Sequence, residues 1–589
     1  MFASALGTVV ALMAFSFLSV AIFAGIVSSM EDDKEVTVKD NSVLRLDFSS
    51  AIVDQTSKDP FEGLDFGPFG GSSSTSLRDV IKSIEKAKTD DKIKGIYLRL
   101  SGIPAGMASV EEIRNALLDF KSSGKFIIAY SESGYSKGAY YVASVANQIY
   151  LYPEAEMDMS GLASELTFFA GMLEKLGVEV QVIRPRNNKF KSALEPFMYD
   201  KMSEANREQT RTYLSALWNQ MVTGIAAERD MSADQINAYA DSLKAGNSKM
   251  LQELGYIDGT RYHDEMLAEL MDSVNVEDED DFHFVKLGKY MDYMPEGSAD
   301  KKDYKLKEKV AIVYAEGEIV SGKGGDGEMG STTIMAAIKK ARTDSNVKAI
   351  VLRVNSPGGS ALASDIMWRE TQLAKSEKPF VVSMGNVAAS GGYYISAGAD
   401  RIFAQPNTIT GSIGVFGMIP NLQGFMRDKL GITTDTVKTN LHSDWGTTSR
   451  PMTAYEREII TGYVETVYDT FLTRVSDGRG MEKSAVDAIA QGRVWAGTDA
   501  LEIGLVDELG SLQDAIDYAS EMAELEDYKI VEYPEQKDPF EEFTKKLSGA
   551  EEKIVEKNLG HLYPYLQRMK QVEKMNGVYT RMPYYLDIY

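Results

Sequence analysis

The sequence predicts an α/β protein made of two tandem homologous domains, each with a parallel sheet and flanking helices. Short β-branched runs alternate with helical stretches along most of the chain, a pattern typical of parallel sheets covered by helices. The same motifs also occur twice in the same order, about 250 residues apart, which is far too long a period for a solenoid. With 589 residues, 44% of them hydrophobic, the chain is long enough to form more than one core.

Three pairs of motifs define the repeat. In order along the chain, they are DKIKGIYLRL (91–100) with SNVKAIVLRV (345–354), SKGAYY (136–141) with ASGGYY (389–394), and QELGYID (252–258) with EIGLVD (502–507). Because the pairs keep their order and offset, the two regions are interpreted as related domains. The predicted divisions are an N-terminal segment (1–29), a first repeat domain (42–273), an acidic and Lys-rich linker (274–309), a second repeat domain (310–548) and a partly helical C-terminal tail (549–589).

The secondary structure of the second repeat can be predicted from its apolar runs. Four of them are predicted to be buried strands: VAIVYAEG (310–317), VKAIVLRV (347–354), FVVSMG (380–385) and RIFAQP (401–406). Residues Thr332–Thr343 and Ala361–Lys375 are predicted to be helices between these strands. In the first repeat, residues 127–146 are interrupted by polar residues and glycines, so they predict a strand and a helix rather than a membrane span.

The N-terminal segment predicts a membrane anchor. Residues Phe2–Ser28 carry no charged side chain, and a helix that crosses a bilayer needs about 20 apolar residues. A cleaved signal peptide usually has an apolar core of only about 7–15 residues, so an uncleaved single-pass anchor is predicted, with a cleavable signal as the alternative. The net acidic segment Glu31–Glu35 favours the outer side of the membrane for the domains that follow.

The composition excludes several classes of function. The chain has no cysteine, which rules out thiol catalysis, disulfides and thiolate metal sites. Its net charge of −24 argues against a nucleic-acid partner. The four histidines show no paired spacing, so no metal site is predicted, and no motif calls for an organic cofactor.

Two loops that follow predicted strands carry the candidate chemistry. GNVAASGGYY (385–394) places Ser390 before two glycines, and NSPGGS (355–360) contains a second glycine pair. The backbone N–H groups of Gly358 or Gly359, together with that of Gly391, are candidate donors to an oxyanion. The alternative is that both loops are ordinary strand-to-helix turns.

The two repeats differ at this loop. The first repeat has Lys137 at the position of Ser390 and SGIPAG in place of NSPGGS, so it lacks both the serine and the paired glycines. It contains instead NNKFKSALEPF (187–197), for which the second repeat has no clear counterpart. Each repeat therefore has a distinctive segment that the other lacks.

Five motifs together resemble a known family: VKAIVLRVNSPGGS, VAASGGYYIS, NTITGSIGVFG, AQGRVWAGTDALEIGLVDELG and FKSALEPF. The chain resembles the long form of the signal peptide peptidase A family (peptidase family S49), membrane-anchored serine proteases with a Ser/Lys dyad. The resemblance extends over about residues 42–530. It implies two tandem domains of the crotonase/Clp-protease-like type.

The resemblance also implies the roles of individual residues. Ser390 would be the nucleophile, Lys191 the general base and Ser412, in TGSIG, a serine that orients the lysine. A lysine accepts a proton only when neutral, and burial in an apolar pocket can lower its pKa by up to about 3–5 units. The NSPGGS glycines match the oxyanion loop of the family. The neighbouring Lys189 is the rival base within the motif.

The resemblance further implies an activity, a location and an assembly. The family hydrolyses peptide bonds through an acyl-enzyme, so the predicted substrates are remnant signal peptides left in the membrane after secretion. The implied location is the bacterial inner membrane, with the catalytic domains on the periplasmic side, and the implied assembly is a bowl-shaped homotetramer. No metal or organic cofactor is expected.

Three alternatives are weighed beside this interpretation. His442 is the only histidine within the second repeat and would be the base of a Ser-His arrangement, although no partner motif accompanies it. Acyl-CoA chemistry uses paired backbone N–H groups on the same fold, but it needs no serine–lysine pair. A catalytically silent membrane scaffold is the alternative from another class, and the loss of the serine in the first repeat illustrates how it would arise.

Overall fold

The fold is described by a computed structural model of residues 36–56, 74–295, 306–325, 327–535 and 577–582. The predicted membrane anchor (1–29) lies outside these described residues. Within the described ranges, no helix is both long and apolar enough to cross a bilayer.

The described residues form strands and helices in alternation. The strands are β1 (Ser42–Leu46), β2 (Ala51–Val53), β3 (Ser74–Ser76), β4 (Ile93–Arg99), β5 (Phe126–Ser131), β6 (Gln148–Leu151), β7 (Glu179–Ile183), β8 (Gly259–Thr260), β9 (His283–Lys286), β10 (Lys309–Glu316), β11 (Glu318–Val320), β12 (Glu328–Gly330), β13 (Val347–Ser356), β14 (Gly358–Ser360), β15 (Phe380–Ala389), β16 (Arg401–Ala404), β17 (Ile409–Gly411), β18 (Phe416–Asn421), β19 (Val494–Ala496), β20 (Glu508–Leu509), β21 (Lys529–Tyr533) and β22 (Gly577–Arg581).

The α-helices lie mainly between the strands of the two repeats. They are α1 (Leu77–Thr89), α2 (Met107–Lys121), α3 (Lys137–Ala143), α4 (Ala170–Leu176), α5 (Glu195–Met198), α6 (Glu204–Glu228), α7 (Ala233–Asp241), α8 (Ser248–Glu253), α9 (His263–Ser273), α10 (Leu287–Met291), α11 (Ser331–Thr343), α12 (Ala361–Lys375), α13 (Gly391–Ser396), α14 (Ala454–Arg479), α15 (Lys483–Ile489), α16 (Gly497–Glu502) and α17 (Leu512–Met522).

Each repeat contributes one parallel sheet. In the first repeat the strand order is β8-β6-β5-β4-β1-β9, and every neighbouring pair is parallel. In the second repeat the order is β19-β17-β15-β13-β10-β21, with β16 paired to β15 and β20 to β16. Here the β17–β19 pair is antiparallel and the other pairs are parallel. The predicted α/β class with parallel sheets is confirmed.

The apolar runs of the second repeat form strands because helices cover both faces of the sheet. Alternate residues of β10 pack in two different clusters: Ala311 and Val313 on one face, Val310 and Ile312 on the other. Strands buried on both faces are expected to be continuously apolar rather than alternating. The predicted strands and helices of this repeat are confirmed, and helix Ala361–Lys375 has the predicted bounds.

Equivalent hydrogen bonds occur in the two repeats. The hydroxyl of Tyr140 donates to the Tyr256 carbonyl oxygen (2.7 Å), and the hydroxyl of Tyr393 donates to the Leu505 carbonyl oxygen (2.8 Å). In both repeats the tyrosine belongs to the helix after the third strand, in chain order, of the parallel sheet (β5 or β15), and its acceptor lies just before a short edge strand. These matched contacts explain why the GYY-like and LGxxD-like motifs occur in both halves.

Two predicted segments take on a different structure from the one expected. The predicted linker (274–309) includes β9, which pairs with β1 at the edge of the first sheet. The predicted tail (549–589) includes β22, which pairs antiparallel with β14 and β18. Both segments are polar or carry weak periodicity, so their strand structure depends on pairing with distant strands rather than on local pattern.

A third sheet joins the two repeats beside the Ser390 loop. Its order is β12-β11-β14-β22-β18-β7. Strand β7 comes from the first repeat and pairs antiparallel with β18 of the second, with Ile183 opposite Gly417 and Glu179 opposite Asn421. The chain that follows β7 therefore runs over the second repeat, which brings the NNKFKSALEPF segment to the Ser390 loop.

Candidate active site

Ser390 lies in the tight turn between β15 and α13. Its φ of 56° and ψ of −113° are unusual for a residue with a side chain. Its N–H donates to the Gly411 carbonyl oxygen (2.8 Å), which holds the turn in place. A Cβ on Gly391 would lie 2.5 Å from Ser364 Oγ, so the helix that follows needs glycine there. Strained backbone of this kind is concentrated at functional sites.

Lys191 reaches Ser390 from the first repeat. Its Nζ lies 2.8 Å from Ser390 Oγ, 2.9 Å from Ser412 Oγ and 2.9 Å from the Ser412 carbonyl oxygen. All three residues are buried, with exposed fractions of 1% for Lys191 and 0% for the two serines. The structure thus brings together the three side chains that the sequence singled out.

The three contacts of Lys191 indicate where the N–H groups and the lone pair of Nζ point when the amine is neutral. A neutral amine has two N–H donors and one lone pair. The Ser412 carbonyl oxygen has no proton and must accept one N–H. If Ser412 Oγ accepts the other, the lone pair faces Ser390 Oγ and can accept its hydroxyl proton. The geometry is therefore that of a nucleophile beside a base, with a third group that orients the base.

Burial lowers the pKa of Lys191 well below its ordinary value of 10.5. The cause is desolvation, because the protonated amine would lose its hydration in this site. Among the described residues, no carboxylate forms a hydrogen bond or ion pair with Nζ, and the partners it has are neutral. Both effects favour the neutral amine.

Two glycines pack against the aliphatic stem of Lys191. A Cβ on Gly492, whose φ is +83°, would lie 2.4 Å from Lys191 Cβ, and one on Gly414 would lie 3.3 Å from Lys191 Cδ. These glycines belong to the AQGR and GSIG motifs of the second repeat. Their missing side chains leave the narrow channel through which the lysine reaches Ser390.

Gln209 fixes the backbone on either side of Lys191. From the buried face of α6, its Nε2 donates to the Phe190 carbonyl oxygen (2.9 Å) and to Ser192 Oγ (2.8 Å). Its Oε1 accepts the Val494 N–H (3.3 Å). The sequence analysis missed this residue, since a single glutamine on a helix carries no motif.

The glycines proposed as oxyanion donors surround Ser390. A Cβ on Gly358, whose φ is +92°, would lie 2.7 Å from Gly391 N and 2.9 Å from Ser390 Cβ. The Gly358 N–H is directed to Ser356 Oγ (3.1 Å). Gly359 pairs with Ile319 in the third sheet. Of the three, Gly391 has its N–H next to the nucleophile, at the start of a helix.

Polar contacts across the interface of the repeats hold the Ser390 loop in register. Asn386, four residues before Ser390, accepts through Oδ1 from the Ala108 and Ser109 N–H groups (both 3.1 Å), which begin helix α2 of the first repeat. Arg353 is 1% exposed and pairs with two carboxylates of that repeat, Asp54 (2.9 Å) and Glu112 (2.7 Å). No sequence motif indicated these partners.

The rival bases lie elsewhere. Lys189 is exposed, and its Nζ lies 4.7 Å from the centroid of the Phe190 ring. His442 Nδ1 lies 3.5 Å from Glu456 Oε1 on an exposed segment. Lys137, the first repeat's counterpart of Ser390, pairs with Asp158 (2.5 Å). In the part of the chain that the structure describes, no hydrogen bond joins any of these side chains to Ser390.

Comparison with known proteins places this chain among the serine peptidases. The family model described as "Peptidase family S49" matches residues 119–277 and 372–526, one segment in each repeat. Protease 4 of Haemophilus influenzae is 38% identical over 76% of this chain and 73% of its own length. Protease 4 of Salmonella typhi is 36% identical over 84% of this chain and 80% of its own length.

A plant relative matches almost as widely. "Serine protease SPPA, chloroplastic" of Arabidopsis thaliana is 32% identical over 82% of this chain and 71% of its own length. Among solved structures, a ClpP1 mutant from Listeria monocytogenes is 14% identical, and the match covers 35% of this chain and 94% of that chain with a TM-score of 0.23. The chain belongs to peptidase family S49.

Proposed function

We propose that this chain is a membrane-bound serine endopeptidase that cuts peptide bonds through an acyl-enzyme, with Ser390 as nucleophile and Lys191 as general base. The observation that carries the proposal is the 2.8 Å separation of Lys191 Nζ and Ser390 Oγ in a buried site. A serine hydroxyl is a weak nucleophile until a base takes its proton. A buried lysine with a lowered pKa is such a base.

In each half of the proposed reaction, Lys191 acts first as a base and then as an acid. Lys191 takes the Ser390 proton as Oγ attacks the scissile carbonyl, and the Gly391 N–H holds the negative oxygen. The proposed second donor is the N–H of Gly359 or that of Gly358, which would have to turn from Ser356 Oγ to the oxyanion. Lys191 then donates the proton to the leaving amine, which departs and leaves an ester on Ser390. For deacylation, Lys191 takes a proton from water as the water oxygen attacks the ester carbonyl, and it then returns that proton to Ser390 Oγ as the ester bond breaks and the acid product leaves. Ser412 keeps Nζ pointed at Ser390 throughout.

The proposed substrates are signal peptides left in the membrane after secretion. One relative, from Enterococcus faecium, is named "Putative signal peptide peptidase SppA" and is 36% identical over 41% of this chain and 69% of its own length. The uncharged segment Phe2–Ser28 supports an anchor in the same membrane. We further propose a bacterial inner-membrane location with the catalytic domains on the outer side, and a homotetramer.

The decisive experiment is covalent labelling of the purified, detergent-solubilised full chain with a serine-reactive fluorophosphonate probe. Labelling mapped to Ser390 by peptide mass spectrometry, and lost in Ser390→Ala, is the expected result. Hydrolysis of a synthetic signal peptide should be lost in the same variant. A folded wild-type chain that takes up no probe and cuts no peptide would contradict the proposal and favour the silent scaffold.

A further inference from the structure

The last described segment of the chain fills the space between two strands that flank Ser390. Strand β22 pairs antiparallel with β14 on one side, with Thr580 opposite Gly359. On its other side it pairs antiparallel with β18, with Tyr579 opposite Phe416. We call the space between β14 and β18 the groove. A strand added between open strands is a common way for proteins to bind an extended peptide.

The register of β22 brings one of its carbonyl groups to the nucleophile. A Cβ placed on Gly358 would lie 2.3 Å from the Thr580 carbonyl oxygen, 2.7 Å from Gly391 N and 2.9 Å from Ser390 Cβ. These three atoms therefore share the small space beside Gly358. A peptide substrate would bring its scissile carbonyl to the same place, between the nucleophile and the Gly391 N–H.

Side-chain contacts fix this register. Thr580 is fully buried, and its Oγ1 donates to the Gly359 carbonyl oxygen (3.4 Å). Its Oγ1 would lie only 3.1 Å from a Cβ on Gly391, so the pocket for this side chain is small. Arg581 pairs with Glu318 (3.2 Å), and the ring of Tyr579 stacks on Phe416 with centroids 6.1 Å apart.

The main chain beyond the strand is held as well. The Met582 N–H donates to the Pro357 carbonyl oxygen (2.6 Å), and Met582 is 5% exposed. Residues 579–582 therefore each make a distinct contact with the walls of the groove. A segment that merely lay across the surface would not bury consecutive side chains on both sides of the Ser390 position.

We propose that residues 577–582 act as an intramolecular competitive inhibitor. They occupy the groove as a peptide substrate would and must leave before another peptide or a probe reaches Ser390. The inference rests on the proposed function, because it takes the groove to be the substrate site. Because the strand and the groove belong to the same chain, the competition is intramolecular, so modest affinity is enough to keep the groove occupied.

The test compares the full-length protein with three variants of it. One form ends at Asn576 and lacks the strand, and its matched control ends at Met582 and keeps it. A third form carries Arg581→Glu, which sets two carboxylates against each other at Glu318 and loosens the strand without deleting it. The rate of fluorophosphonate labelling of Ser390 measures how often the groove is open.

We expect the form that ends at Asn576 to be labelled about tenfold faster or more, the ratio for a groove that is free in a tenth of the molecules. The Met582 form should match the full chain, and Arg581→Glu should fall between the two. A synthetic GVYTRM peptide added to the Asn576 form should slow labelling again. Equal rates in all forms, with labelling still lost in Ser390→Ala, would overturn the inhibitor and leave the proposed function intact.

Two further readouts separate the remaining outcomes. Fluorescein-labelled GVYTRM should bind the Asn576 form carrying Ser390→Ala, whereas a scrambled peptide should not, and this result does not depend on catalysis. Failure of both peptides to bind would refute the inference even if no form is labelled. Intact mass should show the full chain uncut, because a chain that ends at Thr580 would identify the strand as a substrate instead of an inhibitor.

Discussion

Lys191 Nζ and Ser390 Oγ lie 2.8 Å apart although 199 positions separate the two residues and they belong to different repeats. The pair forms because β7 of the first repeat joins β18 of the second, so the chain after β7 runs over the second repeat. Neither repeat contains both residues of the pair. The site therefore exists only where the two repeats are packed together.

The first prediction separates Lys191 from its neighbour in the motif. Lys191→Met should lower the rate of probe labelling at Ser390 about 10³-fold or more, as expected when a nucleophile loses its base. Lys189→Met should leave the rate within about twofold, because Lys189 is exposed and lies against the Phe190 ring. The same loss in both variants would show that the positive charge of the segment matters rather than the contact with Ser390.

Much of the fold was predictable because the strands and helices of the second repeat follow the hydrophobic pattern of its sequence. Its strands are buried on both faces, and helix Ala361–Lys375 starts at a Ser360 cap and is amphipathic enough to be read directly. Strands β9 and β22 were missed because runs of four and five residues are too short to show a strand pattern, and they become strands by pairing with neighbours far along the chain. Local propensity says little about such strands.

The residues of the candidate site also divide into those that the sequence predicted and those that it did not. Ser390, Lys191 and Ser412 lie in motifs, so their resemblance to a family identified them. Gln209 lies in no motif, and Asn386 lies in GNVAASGGYY without being singled out by it; both side chains act on backbone groups of distant segments. Their partners are defined only by the packing of the repeats, which no single-sequence pattern encodes.

The second prediction concerns the pH dependence of labelling. Burial lowers the pKa of Lys191 well below 10.5, and only the neutral amine accepts the Ser390 proton. The labelling rate should therefore rise with pH through this lowered pKa and level off well before an exposed lysine would titrate. Rates measured from about pH 5 to about pH 10 on the Lys189→Met background test this. A rise that begins only near the ordinary lysine pKa would contradict a desolvated base.

The third prediction concerns the effect of Lys191 on stability. The folded protein holds Lys191 with a lowered pKa, whereas the unfolded chain protonates it at its ordinary value of 10.5. At neutral pH the unfolded state therefore binds the extra proton, and this residue's contribution to the free energy of unfolding grows as pH rises from the lowered pKa towards 10.5.

Replacing Lys191 with an apolar residue removes the free-energy penalty of burying an amine that is protonated in the unfolded chain. Lys191→Met should have a higher urea midpoint than wild type at pH 7, and the difference should shrink as the pH approaches about 10. Ser390→Ala is the control for lost activity with the lysine retained. A lower midpoint in Lys191→Met at neutral pH would mean that the three hydrogen bonds of Nζ outweigh its desolvation.

The fourth prediction tests the channel around the lysine stem. A Cβ on Gly492 would lie 2.4 Å from Lys191 Cβ at a φ of +83°, so Gly492→Ala should push the stem aside. A displacement of about 1 Å can cost about 10²-fold in rate, and the labelling rate should fall by this order. Gly480→Ala is the matched control, since Gly480 has a φ of +62° and nothing within 4 Å of its added Cβ. It should share the backbone strain and leave the rate unchanged.

The fifth prediction concerns the buried ion pairs that join the repeats. Arg353 and Glu112 are each 1% exposed and 2.7 Å apart. Glu112→Gln replaces a charged hydrogen bond of Arg353 with a neutral one and leaves Asp54 as its charged partner, and a hydrogen bond to a charged group typically contributes about 1.5–3 kcal/mol. Urea unfolding should show that loss, and labelling of Ser390 should fall with it because the repeats must stay packed for the site to exist.

The matched control is Glu132→Gln, which removes the partner of Arg99, the exposed counterpart of Arg353 in the first repeat. An exposed pair contributes about 0–1 kcal/mol, so equal losses in the two variants would show that the inter-repeat pair has no special role.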